Sequence, residues 1–209
     1  MKLIVGLGNP ENMENYANTR HNMGFRVLNK LAKKYEIELS RTKYNGLYGI
    51  GVIEGEKVIL LKPQTYMNNS GECVIEFVNF YKIPLEDIIL VYDDIDIIPG
   101  CIRVRKSGSP GSHNGMKSVT HYLNNQNFAR IRVGIGKPEY ADDLINYVLS
   151  DISEEEMKLL EQGIDLAENA IEMIITDGID KAMNAYNAID PKNTIKEETI
   201  EEQSKDVEG

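Results

Sequence analysis

Apolar residues occur along this chain in short runs that predict the strands of a sheet. Nearly continuous runs at residues 3–5, 58–61, 88–92 and 131–135 indicate strands covered on both faces, as central strands of a parallel sheet are. Residues 47–53 and 57–62 flank the turn sequence Glu54-Gly55-Glu56 and predict a hairpin. Residues 102–105 alternate between apolar and polar, which is typical of a half-exposed strand.

Between these runs, apolar residues recur at the spacing of one helix face. Asn22 is placed to cap the first helix, and Asn69 or Ser70 the second. Ser153 and Glu156 form a capping box before a long helix near the end of the chain. The predicted helices occupy residues 23–35, 70–81, 114–123, 154–175 and 179–188.

Length and composition indicate one α/β domain rather than two. The chain has 209 residues, of which 42% are hydrophobic and 27% charged, so it can bury a core. We assign residues 1–188 to this domain. Residues 189–209 are acidic and contain almost no apolar side chains, so we expect a disordered tail there.

Several classes of protein are disfavoured by what the sequence lacks. No apolar run approaches the length of about 18 residues that a membrane span requires, and no hydrophobic leader precedes the first strand, so we expect a cytoplasmic protein without a membrane partner. Cys73 and Cys101 form no CxxC motif and are expected to be reduced, buried thiols. His21, His113 and His121 have no spacing that supports a zinc site.

Charge is distributed unevenly along the chain. The formal net charge is −10, but residues 1–150 carry 18 basic and 16 acidic residues, whereas residues 151–209 carry 5 and 17. Residues 102–137 contain basic side chains and no acidic one. A long segment of one sign favours a surface for a polyanion over an ordinary solvated face. We therefore expect the C-terminal acidic helices to face away from this segment.

Polar residues gather where the predicted strands end. The stretch LIVGLGNPENMENYANTRHNMGF places Asn9, Tyr16 and His21 after the first strand. Residues 64–70, 93–96 and 108–114 form polar loops after or beside other strands. Because ligands of open α/β sheets bind beyond the carboxyl ends of the strands, we expect these loops to converge on one site.

The residue types in these loops suggest hydrolysis by an activated water. A histidine beside a carboxylate is a general-base pair, and His21 with Asp93 fits it. The helix start after His21 disfavours a positive charge on its ring, whereas Asp93 favours one, and the sequence leaves the balance open. Asn68 and Asn114 are candidates to hold an ester carbonyl, although each alone is more often a cap or turn residue. No GxSxG elbow supports a serine nucleophile.

A dinucleotide site is the alternative suggested by GLG after a strand. The third glycine of GxGxxG would fall on Glu11, whose carboxylate would repel a pyrophosphate. We interpret Gly6 and Gly8 instead as residues of a tight turn.

Six motifs together resemble bacterial-type peptidyl-tRNA hydrolases over residues 1–188. They are GLGNP with Tyr16 and TRHNMG, then KPQTYMNNSG, VYDDIDIIPG, SHNGMKS and RIRVGIG. The resemblance implies one α/β domain with a mixed, twisted β-sheet flanked by helices. It implies hydrolysis of the ester between peptide and tRNA in peptidyl-tRNA, with no metal and no cofactor. A non-catalytic RNA-binding relative of the same fold is the alternative.

The resemblance also implies roles for individual residues. His21 matches the catalytic base, Asp93 the carboxylate that orients it, and Asn9 the residue that senses the peptide-like nitrogen of the substrate. Residues matching the peptide and tRNA 3′-end site are Tyr16, Tyr66, Met67, Asn68 and Asn114. For the phosphates of the acceptor end we select Arg105, Lys117 and Arg132 from the basic segment, and we expect a monomer to act on peptidyl-tRNA.

Overall fold

A seven-stranded mixed sheet runs through the centre of the computed structural model, which describes residues 1–11, 16–138, 140 and 143–190. The strands are β1 (Lys2–Gly6), β2 (Arg41–Lys43), β3 (Gly46–Ile53), β4 (Glu56–Pro63), β5 (Ile88–Asp94), β6 (Ile102–Arg105) and β7 (Ala129–Gly134). Their order is β2-β3-β4-β1-β5-β7-β6. β1 pairs in parallel with β4 and β5, and β5 pairs in parallel with β7, while the pairings of β2, β3 and β6 are antiparallel.

Helices cover both faces of this sheet. They are α1 (Met23–Lys34), α2 (Ser70–Tyr81), α3 (Asn114–Leu123), α4 (Leu144–Leu149), α5 (Glu154–Thr176) and α6 (Ile179–Tyr186). Successive strand side chains point to opposite faces, which gives the protein two apolar layers. One layer packs beneath α1, α5 and α6, and the other beneath α2 and α3. The described residues thus form one α/β domain with a mixed sheet flanked by helices, as expected.

Glycines at the end of β1 and in the first turn of α1 permit this helix to approach the sheet closely. A Cβ on Gly24 would lie 2.4 Å from both Leu7 N and Val91 O, and one on Gly6 would lie 2.3 Å from Gly24 O. Neither Gly6 nor Gly8 has a positive φ. The interpretation of these two residues as tight-turn glycines was therefore wrong: they leave room for α1, whose start then lies against the ends of β1 and β5.

The sequence predicted the long elements well and missed the short ones. The predicted hairpin is β3 and β4, and the helix predicted at 114–123 has those bounds. β2 and α4 were missed because each is short and lacks a period that sequence can reveal. Of the tail predicted at residues 189–209, residues 191–209 lie outside the described part of the chain.

The predicted caps were less reliable than the helices. Asn22 and Asn69 occupy the N-cap positions of α1 and α2, yet neither side chain makes a capping hydrogen bond. Ser153 does cap α5 by accepting from Glu156 N at 3.2 Å. The Glu156 carboxylate pairs with Arg20 instead of completing the box. Tertiary contacts therefore compete successfully for these polar side chains.

Candidate active site

His21 and Asp93 meet at the carboxyl end of β1 and β5. His21 lies in the 3₁₀ turn Arg20–Asn22 that leads into α1, and Asp93 is the last buried residue of β5. His21 Nδ1 lies 2.9 Å from both carboxylate oxygens of Asp93. A neutral ring that donates from Nδ1 keeps Nε2 as the nitrogen that can accept a proton.

The sequence left open whether the helix start or Asp93 has the larger effect on the charge of the His21 ring. In the structure the effect of Asp93 is the larger one. Burial by itself lowers the pKa of His21, but the attraction and hydrogen bond of Asp93 outweigh burial and raise that pKa above its ordinary value of 6.5. Burial likewise opposes ionisation of Asp93, yet the two imidazoles that contact it hold its carboxyl pKa well below the usual range. The pair therefore favours a carboxylate beside a readily protonated imidazole.

His113 is the second imidazole on Asp93, and the sequence analysis missed its role. Its Nε2 lies 3.1 Å from Asp93 Oδ1, and its Nδ1 accepts from the backbone N–H of Met116 at 3.1 Å. Because Nδ1 accepts, the ring proton belongs on Nε2, which then donates to Asp93. The signal was present, since His113 directly precedes Asn114 in the SHNG loop.

The three residues are also the one group among the described residues whose side chains could hold a metal ion. A neutral histidine binds a metal through a nitrogen without a proton. In His113 the nitrogen without a proton is Nδ1, and its lone pair already accepts a hydrogen bond from the Met116 N–H. The nitrogen that faces Asp93 carries the proton, so this hydrogen-bonding pattern suits a proton-transfer site better than a metal site.

Asn9 is held in place by hydrogen bonds from both neighbouring segments. Its backbone N–H donates to Asn22 Oδ1 at 2.8 Å, and its carbonyl accepts from Asn22 Nδ2 at 3.0 Å. Its side-chain Oδ1 accepts from Met67 N at 2.8 Å. Asn22, predicted as a helix cap, therefore acts as a clamp on Asn9. With Oδ1 occupied, the Nδ2 amino group is the part of Asn9 that can meet a ligand.

Tyr66 and Met67 connect this clamp to α2 and α3. Tyr66 has φ 58° and ψ 159°, a region that favours glycine, and its ψ orients the Met67 N–H toward Asn9. The Tyr66 ring is 42% exposed and meets Tyr16 edge-to-face at 6.4 Å. Met67 is buried, and a Cβ on Gly115 would lie 2.4 Å from its Sδ, so α3 begins directly against Met67.

Asn68 and Asn114, the candidates to hold the ester carbonyl, are the chain neighbours of Met67 and Gly115, which pack on each other. Asn68 follows Met67 in the 3₁₀ turn Met67–Asn69, and Asn114 is the first residue of α3. Both side chains are exposed, and α3 packs on the turn that holds Asn68. The predicted convergence of the polar loops is thereby confirmed for the described residues.

A cavity of about 430 Å³ opens on the other side of His21 and Asp93. Its walls are the end of β5, the loop before α3, and α4. The cations in its wall are Arg105, Arg130 and Arg132. Arg130 is 1% exposed, its guanidinium lies 4.8 Å from the Phe128 ring centroid, and its Nε has no hydrogen-bond partner among the described residues.

The segment with basic residues only does not form a surface with positive charge only. Arg132 Nε donates to Asp94 Oδ2 at 2.5 Å, and Lys137 pairs with Asp96 at 2.8 Å. Lys106 pairs with Asp180 of α6 at 2.7 Å, so the expectation that the acidic helices face away was wrong at this contact. Acidic residues distant in sequence reach the segment because β5 and α6 both pack beside it.

Of the three cations predicted to bind phosphate, two share one wall. Arg105 and Arg132 line the main cavity. Lys117 is exposed on α3 and lines a shallow depression that shares only Pro110 with that cavity. The three could contact different phosphates of one polyanion, but not a single phosphate group in the cavity.

Glu11 has a partner that the sequence did not reveal. Lys62, at the end of β4, is 2% exposed and donates from Nζ to Glu11 Oε2 at 2.6 Å and to Asn29 Oδ1 at 2.9 Å. Burial lowers the pKa of Lys62, and the attraction of Glu11 opposes that effect. Glu11 thus compensates a buried ammonium group near the start of the Asn9 loop.

Comparisons with known proteins agree with one another. The sequence model of the family described as peptidyl-tRNA hydrolase matches residues 3–197. A peptidyl-tRNA hydrolase of Caldanaerobacter subterraneus subsp. tengcongensis is 51% identical over 187 residues, which are 90% of this chain and 100% of that protein. One from Alkaliphilus metalliredigens is 50% identical with the same coverage. The crystal structure of peptidyl-tRNA hydrolase from Acinetobacter baumannii has a TM-score of 0.86 and 41% identity, covering 91% of this chain and 96% of that one.

Proposed function

The chain belongs to the peptidyl-tRNA hydrolase family, and we propose that it hydrolyses peptidyl-tRNA with a water molecule activated by His21 and Asp93. Enzymes of this family are ester hydrolases that act on peptidyl-tRNA. The observation that carries the mechanism is the hydrogen bond of His21 Nδ1 to the buried carboxylate of Asp93.

The reaction needs one base and one place for developing negative charge. His21 Nε2 accepts a proton from water while the water oxygen attacks the ester carbonyl carbon. The resulting imidazolium is stabilised by Asp93, and it returns its proton to the 3′ oxygen of the tRNA as the carbon–oxygen bond breaks. The products are a peptide with a free carboxyl group and a tRNA with a free 3′ hydroxyl.

The oxyanion formed in this reaction is stabilised by hydrogen-bond donors that do not themselves act as bases. The side-chain amides of Asn68 and Asn114 supply such donors, and both residues lie on segments in contact with each other beside the base. An amide donor preorganised toward the oxyanion stabilises the transition state more than the ground state.

Asn9 would provide selectivity for a blocked amino group. The Nδ2 amino group is a donor, so it can hydrogen-bond the carbonyl oxygen of the substrate's peptide bond, whereas the cationic amine of aminoacyl-tRNA offers no acceptor. The clamp by Asn22 and Met67 supports this role because it fixes which amide atom faces outward.

The two sides of His21 suit the two halves of the substrate. The cavity side has Arg105, Arg130 and Arg132 in its wall, which suits the 3′ nucleotides and their phosphates. The opposite side holds Asn9, Tyr16 and Tyr66, which suits the peptide. All these residues belong to one chain, and we therefore propose that a monomer is active.

Release of peptide from N-acetyl-aminoacyl-tRNA by the purified protein tests this function. We expect steady release that is unaffected by a chelator and is strongly reduced in His21→Ala. A chelator-sensitive activity that returns on adding a divalent metal would contradict the proposed chemistry. Binding of tRNA without any release would favour a non-catalytic RNA-binding relative, although the hydrogen-bonded His21 and Asp93 speak against it.

A further inference from the structure

An exposed cluster of aromatic and basic side chains lies at the β2 edge of the sheet, and neither the catalytic pair nor the cavity uses it. We call it the Lys43 patch, and it consists of Lys43, Tyr44 and Phe80. Lys43 Nζ lies 3.3 Å from the Phe80 ring centroid and 5.0 Å from that of Tyr44. The two rings meet edge-to-face at 5.9 Å.

The patch has the composition of a binding surface rather than of a core. Tyr44 is 37% exposed and Phe80 is 52% exposed, although Tyr44 rests on the buried ring of Phe77 at 6.0 Å. Neither Lys43 nor the neighbouring Arg41 forms an ion pair among the residues that the structure describes. Exposed rings beside unpaired cations suit a partner with apolar or aromatic groups and negative charges.

The patch is continuous with the peptide side of the proposed site. The turn after β2 carries Tyr44 and Asn45, and Asn45 O accepts from Gln64 N at 2.7 Å. Gln64 leads within two residues to Tyr66. Since Gly46 pairs with Pro63 at the end of β4, this turn lies at the carboxyl edge of the sheet, as the site does.

The strand order gives the distance that a ligand must cover. From β2, which carries Lys43, to β5, which carries Asp93, there are four strand spacings, or about 19 Å at about 4.8 Å each. An extended peptide covers about 3.3 Å per residue, so a chain of about six residues reaches from the ester to the patch.

We propose that the Lys43 patch is a distal subsite for the peptide of the substrate, which contacts residues about six or more positions from the ester and prefers acidic or aromatic side chains there. This inference rests on the proposed function, because it needs the peptide to leave the site past Asn9 and Tyr66. RNA is the competing occupant, since bases also stack on exposed aromatic rings. The cations of the cavity wall lie on the far side of Asp93 from the Lys43 patch. They favour RNA in the cavity, which leaves the Lys43 patch for the peptide.

The experiment compares N-acetyl-aminoacyl-tRNA with octapeptidyl-tRNA that carries either glutamate or glutamine at its distal positions. The variants are Lys43→Gln, Phe80→Gln and Tyr44→Asn, the last chosen because asparagine tolerates the φ of 49° at this position. Tyr122→Gln is the control, because Tyr122 is 41% exposed on α3, away from the patch. Thermal unfolding and hydrolysis of the short substrate verify that each variant is folded.

We expect kcat/KM for the glutamate octapeptide to fall about threefold to tenfold in Phe80→Gln and Lys43→Gln, with the short substrate and Tyr122→Gln unchanged. Wild type should prefer the glutamate over the glutamine peptide, and Lys43→Gln should lose that preference. Equal losses for both peptide lengths, weaker binding of uncharged tRNA, or no loss at all would overturn the subsite. If wild type released neither peptide, the proposed function itself would fail.

Discussion

The two sides of His21 are built from different interactions. On the Asn9 side, neutral amides and backbone groups bond one another: Asn9, Asn22 and Met67 N form three hydrogen bonds within 3.0 Å. On the cavity side, charged groups meet at partly exposed positions, as Arg132 and Asp94 do. The Asn9 side is thus arranged before a ligand arrives, whereas on the cavity side a phosphate would have to displace the acidic partner of Arg132.

This difference implies two kinds of recognition. Neutral, buried hydrogen bonds discriminate by leaving polar atoms unpaired when the wrong ligand binds, and salt affects them little. Exposed ion pairs contribute little individually and are screened by salt. We therefore expect selectivity between substrates to depend on the Asn9 side and salt-dependent affinity to depend on the cavity side. The following experiments test that division in order of expected effect.

Removing His21, the proposed base between the Asn9 side and the cavity side, should have the largest effect on the reaction rate. His21→Ala should lower kcat by about 10²- to 10⁴-fold, the usual contribution of a positioned general base, with little change in tRNA affinity. Single-turnover hydrolysis measures the loss, and binding of uncharged tRNA is the control. A variant with nearly normal kcat would remove His21 from the mechanism.

Asp93→Asn should impair the base without deleting it, and the loss of kcat should not exceed that of His21→Ala, because the imidazole remains while its wrong tautomer is favoured. Asp93 raises the pKa of His21, so the base form of wild type accumulates only as pH rises through a value above 6.5. Without the carboxylate that pKa falls, and the acidic limb of kcat/KM should move to lower pH. An unshifted limb would show that Asp93 is not the partner.

Asn9→Asp should change selectivity more than rate. An aspartate can still accept from Met67 N, so the substitution replaces the Nδ2 donor by a charged acceptor, to which the cationic amine of aminoacyl-tRNA can donate. The ratio of kcat/KM for N-acetyl-aminoacyl-tRNA to that for aminoacyl-tRNA should fall roughly tenfold or more, since hydrogen bonds to charged groups contribute about 1.5–3 kcal/mol. Asn68→Asp is a matched control on a neighbouring segment. An unchanged ratio in Asn9→Asp would argue against the sensor role.

The His21–Asp93 pair should also link stability to pH. Because the folded pKa of His21 is raised, its contribution is complete below about 6.5 and is lost as pH rises through the folded value. Because the folded pKa of Asp93 is lowered, its contribution is present above about 3.8 and is lost as pH falls through the folded value. Denaturant unfolding of wild type and Asp93→Asn should therefore differ most between these limits. A difference that is constant across pH would contradict this linkage.

The smallest effects should appear at the proposed phosphate contacts, both in the cavity and at Lys117 beside it, in the salt dependence of tRNA binding. Lys117→Ala should flatten the slope of log affinity against log salt by about 0.7–0.9, the value for one phosphate contact. Asp94→Asn should act in the opposite direction, because it frees Arg132 from its ion pair, and should tighten binding at low salt roughly twofold to fivefold. Identical slopes in wild type and Lys117→Ala would show that the RNA does not contact Lys117.

The sequence predicted the elements of the fold because their signals are local. The apolar runs of β1, β4 and β5 and the helical period of α2 and α3 depend only on neighbours along the chain. The placement of His21, Asp93 and Asn9 at strand ends followed from these elements, and their convergence is confirmed by the bonds between His21 and Asp93 and between Asn9 and Met67.

What the sequence could not provide were the partners that polar side chains choose across the fold. Asn22 had the position of a helix cap, but Asn9 offered it two hydrogen bonds, and the cap was left unmade. His113 was an isolated histidine until α3 placed it against Asp93. For Asn22, local and tertiary partners compete for the same atoms, whereas for His113 the local partner and the tertiary partner use different ring nitrogens. In both cases only the folded arrangement shows which tertiary partner is close enough to bond.

The distribution of charge shows most clearly what the sequence determined and what only the tertiary structure decided. The chain alone determined that residues 102–137 contain basic side chains and no acidic one, and that composition predicts a surface of one sign. The tertiary structure decided otherwise, because β5 and α6 bring Asp94 and Asp180 onto Arg132 and Lys106. Composition is a property of sequence, but electrostatic interaction depends on distance in space, and that distance is set by the packing of segments far apart in the chain.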